Sequence, residues 1–80
     1  MNNKKIWIVD DDKSIRWVLE KALQSNDIDI QTFSQPDAVL KRINDEEPDV
    51  VITDIRMPGM DGISLLDRIK KQSPNTPVII

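Results

Sequence analysis

Apolar positions along the chain change their spacing repeatedly, and each change marks an element. Lys4 to Val9 closes on the apolar run Ile6-Trp7-Ile8-Val9 and reads as a strand. Ile15, Val18, Leu19, Ala22 and Leu23 then recur at helical spacing, which predicts one inward stripe. Asp12 or Ser14 caps this helix, and Ser25-Asn26-Asp27 breaks it. Ile28 to Phe33 alternates apolar and polar, as a strand with one wet face does. Ser34-Gln35-Pro36-Asp37 is a helix start, with Ser34 as cap, Pro36 in the first turn and Asp37 three residues after the cap. That helix is predicted to reach about Asp45, with Val39, Leu40 and Ile43 inward, before Asp45-Glu46-Glu47-Pro48 ends it.

Val50 to Thr53 is a continuous apolar run ending at Asp54, the pattern of a central parallel strand covered on both faces. Gly62 to Gln72 reads as a third helix, with Ile63, Leu66 and Ile69 inward. Ser73 to Pro77 is a loop, and Pro77 to Ile80 starts a fourth strand. The order β-α-β-α-β-α-β predicts an α/β fold with a parallel sheet and right-handed crossovers. The final strand has nothing after it to cover it, so residues 1–80 read as part of a larger domain, with no second domain.

A chain of 80 residues makes one small domain and buries only roughly 60% of its unfolded surface. Hydrophobic residues are 39% and charged residues 31%, which fits a globular chain. The net charge of -3 argues against a nucleic-acid grip by this segment. There is no cysteine and no histidine, which removes disulfides, thiolate metal sites and histidine chemistry. The Ile6–Val9 run meets three aspartates at once. It is too short for a signal peptide or a membrane span, so a cytoplasmic location is expected.

The chemistry is carried by acids. In a parallel α/β sheet the carboxyl ends of the strands form the site edge. The first strand ends in Asp10-Asp11-Asp12 and the third in Asp54. If those strands are neighbours, three or four carboxylates share one crevice. Two like charges ~4 Å apart repel by roughly 4 kcal/mol at an effective dielectric of about 20. Such a cluster needs protons or a cation to persist. Oxygen-only ligands select a hard ion, with Mg2+ the usual choice, and Mg2+ readily takes phosphate oxygens. Aspartate is itself a nucleophile that forms an aspartyl-phosphate. Pro58, Gly59 and Gly62 shape a tight loop that leaves room for metal and phosphate, and Asp61 caps the third helix.

Simpler readings compete with these. A lone strand-end aspartate such as Asp54 reads more readily as the cap of a turn. Asp12 reads more readily as a helix cap than as a ligand. A calcium loop of the EF-hand type is excluded, because its glycine and glutamate positions hold Ile15 and Lys21. Trp7 and Trp17 read as packing residues. Arg56 and Arg68 read as solvated surface rather than a phosphate clamp, and Arg56 is expected to offer its backbone carbonyl to the crevice.

Together, "IWIVDDDKSIRWVLEKAL" and "VVITDIRMPGMDGISLL" resemble the receiver domain of two-component response regulators, of the nitrogen regulatory protein C group. The resemblance spans the whole chain but only about two-thirds of a receiver. It implies a flavodoxin-like (CheY-like) doubly wound sheet, here β-α-β-α-β-α-β of a five-stranded fold. It implies Asp54 as phospho-acceptor, Asp11 as direct Mg2+ ligand, Asp10 as its partner through water, and Arg56 as donor of a backbone carbonyl. It implies a sensor histidine kinase as partner, a receiver dimer in the full-length protein, and neither direct nucleic-acid contact nor a membrane. Transcription control, nitrogen-related and dependent on an alternative sigma factor, would belong to output domains. The Thr or Ser ending the fourth strand of a receiver, and the lysine ending the fifth, have no match in Thr76, Lys70 or Lys71. The fourth and fifth helices, an ATPase module and a helix-turn-helix have no counterpart either.

Two other functions remain in play. An aspartate-nucleophile phosphatase or ATPase would turn over freely, but it usually needs a second acid two residues beyond the nucleophile, where this chain has Arg56. A receiver-type protein is instead no turnover enzyme. A phosphorylation-independent interaction module would be expected to lose one of Asp10, Asp11 and Asp54. With the last strand uncovered and the lysine missing, residues 1–80 alone are expected to be weakly folded and poorly phosphorylated. A sharp cooperative melt, with near-complete phosphorylation of Asp54 by a small phosphodonor, contradicts that expectation.

Overall fold

The computed structural model describes residues 3–80. Seven elements follow in order: β1 (Lys4–Val9), α1 (Lys13–Leu23), β2 (Ile28–Phe33), α2 (Pro36–Arg42), β3 (Val50–Thr53), α3 (Gly62–Gln72) and β4 (Val78–Ile79). The strands form one parallel sheet in the order β2-β1-β3-β4. The order reverses between β1 and β3, so the connections from these two strands leave in opposite directions. That point is where an open α/β sheet has its crevice.

Pleating divides the sheet into two unequal faces. Trp7, Val9 and Val51 point to one face, where they meet Val39 and Ile43 of the α2 region and Leu65 and Ile69 of α3. This is the main core, and Trp7, Val51, Val39, Leu65 and Ile69 are all essentially sealed from solvent. Phe33 joins it from the edge strand, its ring 5.3 Å from that of Trp7 and tilted by 57°. Such an aromatic pair adds about 0.5–1.5 kcal/mol beyond the area it buries. The other face carries the alternate residues, among them Ile6, Ile8 and Ile52, and α1 packs over β1 and β2 there. Ile8 is fully buried, whereas Ile79 on β4 is half exposed.

That imbalance overturns the inward stripe expected for α1. No residue of α1 is fully buried. Leu19 and Leu23 are half-buried, but Ile15, Val18 and Ala22 are exposed. Helical spacing reports which positions share a face, and here α1 stands alone on its side of the sheet, so part of its apolar stripe has no neighbour. Trp17 is also corrected. Trp7 packs in the core as expected, but Trp17 is 60% exposed, with the Lys21 Nζ 5.9 Å from the centre of its ring.

Smaller corrections concern element ends. Asp12, not Ser14, caps α1 through its side chain. Gln35, not Ser34, occupies the cap position of α2 and makes no side-chain cap bond; Pro36 needs no N–H partner at that end. The regular helix stops at Arg42, and turns continue to Glu46 through Asp45 N–H and Glu46 N–H donating to the Arg42 carbonyl. In α3 the buried pair is Leu65 and Ile69, Leu66 is half-buried and Ile63 is exposed. β4 is limited to Val78–Ile79.

Removing the Leu65 side chain (Leu65→Ala) is expected to cost about 2–5 kcal/mol, because it opens a cavity in a closed core. Ile63→Ala, two positions earlier and on the wet side of the helix, is expected to stay within about 0.5 kcal/mol of wild type. Urea unfolding of the two variants checks the orientation of α3.

Candidate functional site

The register of β1 and β3 builds the site. Val9 lies opposite Thr53, and the Asp54 N–H donates to the Val9 carbonyl at 3.1 Å. The Asp10 N–H donates to the Phe33 carbonyl on the other side at 3.1 Å. Asp10 and Asp54 are therefore the first residues beyond two paired, buried strands. Asp10, Asp11 and Asp54 each offer a carboxylate oxygen, and these atoms all lie within 4.8 Å of one another. Asp10 is buried, while Asp11 and Asp54 are exposed.

The acid triplet divides its labour by hydrogen bonding. Asp10 Oδ1 accepts the Asp12 N–H at 2.8 Å, which satisfies part of a buried carboxylate. Asp12 Oδ1 accepts the N–H groups of Ser14 and Ile15 at 2.8 and 3.2 Å. It caps α1 and stays outside the cluster, as the simpler reading of the sequence has it. The three converging acids are a hard, oxygen-only donor set. Their spread suits a cation with bonds of about 2.1 Å that keeps part of its water shell.

Two glycines shape the loop after Asp54. Gly59 has φ +85°, a left-handed conformation that side chains rarely adopt. Gly62 opens α3, and its N–H donates to the Ile55 carbonyl at 2.7 Å. A Cβ at Gly62 would collide with the Asp54 carbonyl oxygen and stand 3.0 Å from Ile55 Cα. Only glycine lets the start of α3 approach the backbone of Asp54 this closely. The sequence showed the glycine but not what it touches. Beside the acids lies a cleft of about 340 Å³ whose walls include Asp11, Asp37, Pro58 and Met60.

Arg56 and Arg68 are exposed, and neither side chain forms an ion pair with the acids among the described residues. Thr76 is buried in the loop before β4, where its hydroxyl pairs with that of Ser73 at 2.6 Å, and Lys70 Nζ donates to the Thr76 carbonyl at 2.6 Å. Neither belongs to the acid site. The residue that pattern reading missed is Arg16, whose Nη1 donates to the Asp10 carbonyl at 2.6 Å. Its position on a helix gave no sign of that contact.

Residues 6–80 match the family model of the response regulator receiver domain. The chain is 52% identical over 80 residues to the DNA-binding transcriptional regulator NtrC of Proteus hauseri, a match covering 100% of this chain and 17% of that protein. The solution structure of the apo receiver domain of nitrogen regulatory protein C superposes with a TM-score of 0.88 at 50% identity, covering 100% of this chain and 64% of that one. Response regulator TrrA of Thermotoga maritima, solved in complex with Mg2+ and BeF, superposes at 0.89 with 34% identity, covering 96% and 67%. The chain thus spans less than a fifth of the regulator and about two-thirds of the receiver structures. Among the described residues, no helix is long and apolar enough to cross a membrane.

Asp61 caps α3, its Oδ1 accepting the Ser64 N–H at 2.7 Å. That backbone bond, and next the Ser64 side chain, hold its carboxyl below the ordinary value of 3.8. A depressed folded value means that the cap's contribution is complete above the unfolded value and fades as pH falls through the folded one. Melting temperatures of wild type and Asp61→Ala are therefore expected to differ at neutral pH and to converge as pH drops below 3.8.

Proposed function

Because this chain belongs to the response regulator receiver-domain family, we propose that Asp54 accepts a phosphoryl group from a sensor histidine kinase. The observation that carries this reading is the meeting of Asp10, Asp11 and Asp54 at the ends of β1 and β3. Asp54 stands on a rigid base, since its amide is bonded to β1, while its side chain is open to solvent. In the transfer, an Asp54 carboxylate oxygen forms a new O–P bond as the P–N bond to the kinase imidazole breaks in line. The electron pair of the broken bond stays on the imidazole nitrogen.

Asp11 directly, Asp10 through water, Asp54 and the Arg56 backbone carbonyl are the proposed Mg2+ ligands. The bound ion supplies positive charge opposite the acids and the phosphoryl oxygens. Asp10, buried and tied to the Asp12 N–H, keeps its carboxylate oriented. Gly62 lets the start of α3 close against the backbone of Asp54 and Ile55.

In this reading residues 1–80 are the N-terminal part of a receiver domain, which stores one phosphoryl group and does not turn over. A second receiver is the proposed partner in the longer protein, which would act in the cytoplasm. Control of nitrogen-related transcription with an alternative sigma factor is proposed for the whole protein, on the strength of its NtrC relatives.

Intact-mass measurement tests the acceptor. With Mg2+ and a small phosphodonor, a chain extended past Ile80 is expected to gain one phosphoryl group, and its Asp54→Asn variant none. Equal gain by both proteins removes Asp54 from its role; equal gain with and without Mg2+ removes the ion.

A further inference from the structure

Asp11 is the member of the triplet whose carboxylate takes part in none of the turn's hydrogen bonds. Asp10 and Asp12 each use an oxygen on a neighbouring N–H, whereas Asp11 projects free. Its direction is therefore set by the two peptides that flank it. The peptide after Asp11 is held at the Asp12 N–H by Asp10 Oδ1 at 2.8 Å. The peptide before it is held at the Asp10 carbonyl by Arg16 Nη1 at 2.6 Å. Arg16 is itself anchored at the opening of α1, where its own N–H donates to the Asp12 carbonyl at 3.0 Å. One residue thus grips the turn on both sides of Asp11, with its side chain before it and its backbone after it. The side chain crosses from the helix to the loop and is half-buried there.

We infer that Arg16 is a positioning residue that aims the Asp11 carboxylate at the shared site and so sets the cluster's affinity for a divalent cation. This rests on the cation site proposed above. A guanidinium beside a cation site has two opposed effects. Its positive charge disfavours the cation, so losing the charge alone would tighten binding. Its hydrogen bond holds the ligand turn, so losing the bond would loosen binding. The sign of the change tells them apart.

The test is Mg2+ titration of wild type, Arg16→Met and Arg16→Lys, followed by amide chemical shifts, with circular dichroism to verify the fold. Arg16→Met keeps most of the stem and removes the donor. It is expected to weaken Mg2+ binding about tenfold, in the range seen when outer partners of metal ligands are lost. Its metal-free amide shifts at Asp11 and Asp12 are expected to move. Arg16→Lys restores a charged donor without the planar fork and is expected to recover binding to within about threefold of wild type. If Arg16→Met melts below the assay temperature, Arg16→Leu, which also lacks a donor, replaces it, with the same expectation. Binding by the uncharged variant as tight as wild type, or tighter, overturns the positioning role. So does a fall in melting temperature shared by all variants with no change in affinity. Wild type that does not respond to Mg2+ instead removes the cation site on which the inference stands.

Discussion

The pairing of β1 with β3 is the constraint on which everything else depends. It is a hydrogen-bonded register between strands that are distant in sequence, and it ends with the Asp54 N–H on the Val9 carbonyl. Mutual repulsion opposes gathering Asp10, Asp11 and Asp54 at one edge. The buried residues behind them, Trp7, Val9 and Val51 against Leu65 and Ile69, hold the strands together regardless. The apolar core thus sustains a concentration of negative charge that the acids would not form alone. Repulsion of this kind is relieved by a cation or a proton entering among the acids.

The loops finish what the strands begin. The turn after β1 folds back on itself through Asp10, Asp12 and Arg16. The loop after β3 is drawn back to the sheet by the Gly62–Ile55 bond. Both turns lead into helices capped by aspartate, Asp12 for α1 and Asp61 for α3. Short polar residues therefore serve two functions within a few positions of each other. Some satisfy helix ends, and others gather at the sheet edge.

Most of the architecture was legible in the sequence because it rests on local patterns. Strands β1, β2 and β3 and helix α3 fall where apolar runs, alternation and caps placed them. The acid site was legible because two strands ended in carboxylates, and a parallel sheet with reversed order brings such ends together. Three things were not legible. Helical spacing marked the α1 stripe but could not say that the far part of it lacks a neighbour. Pro36 supplied a helix start at α2 without the Ser34 cap that the local motif suggested. Arg16 looked like any charged residue on a helix, because a contact from a side chain to a backbone carbonyl six residues earlier leaves no mark in residue type.

The two tryptophans have a practical consequence. Trp7 is 1% exposed and packed against the tilted ring of Phe33, while Trp17 is 60% exposed beside Lys21. One indole lies in an apolar medium and the other in water, so their emission bands separate and an aqueous quencher reaches only the second. A single unlabelled chain thus carries two optical probes, one for the interior beneath the acid edge and one for the outer surface of the first helix.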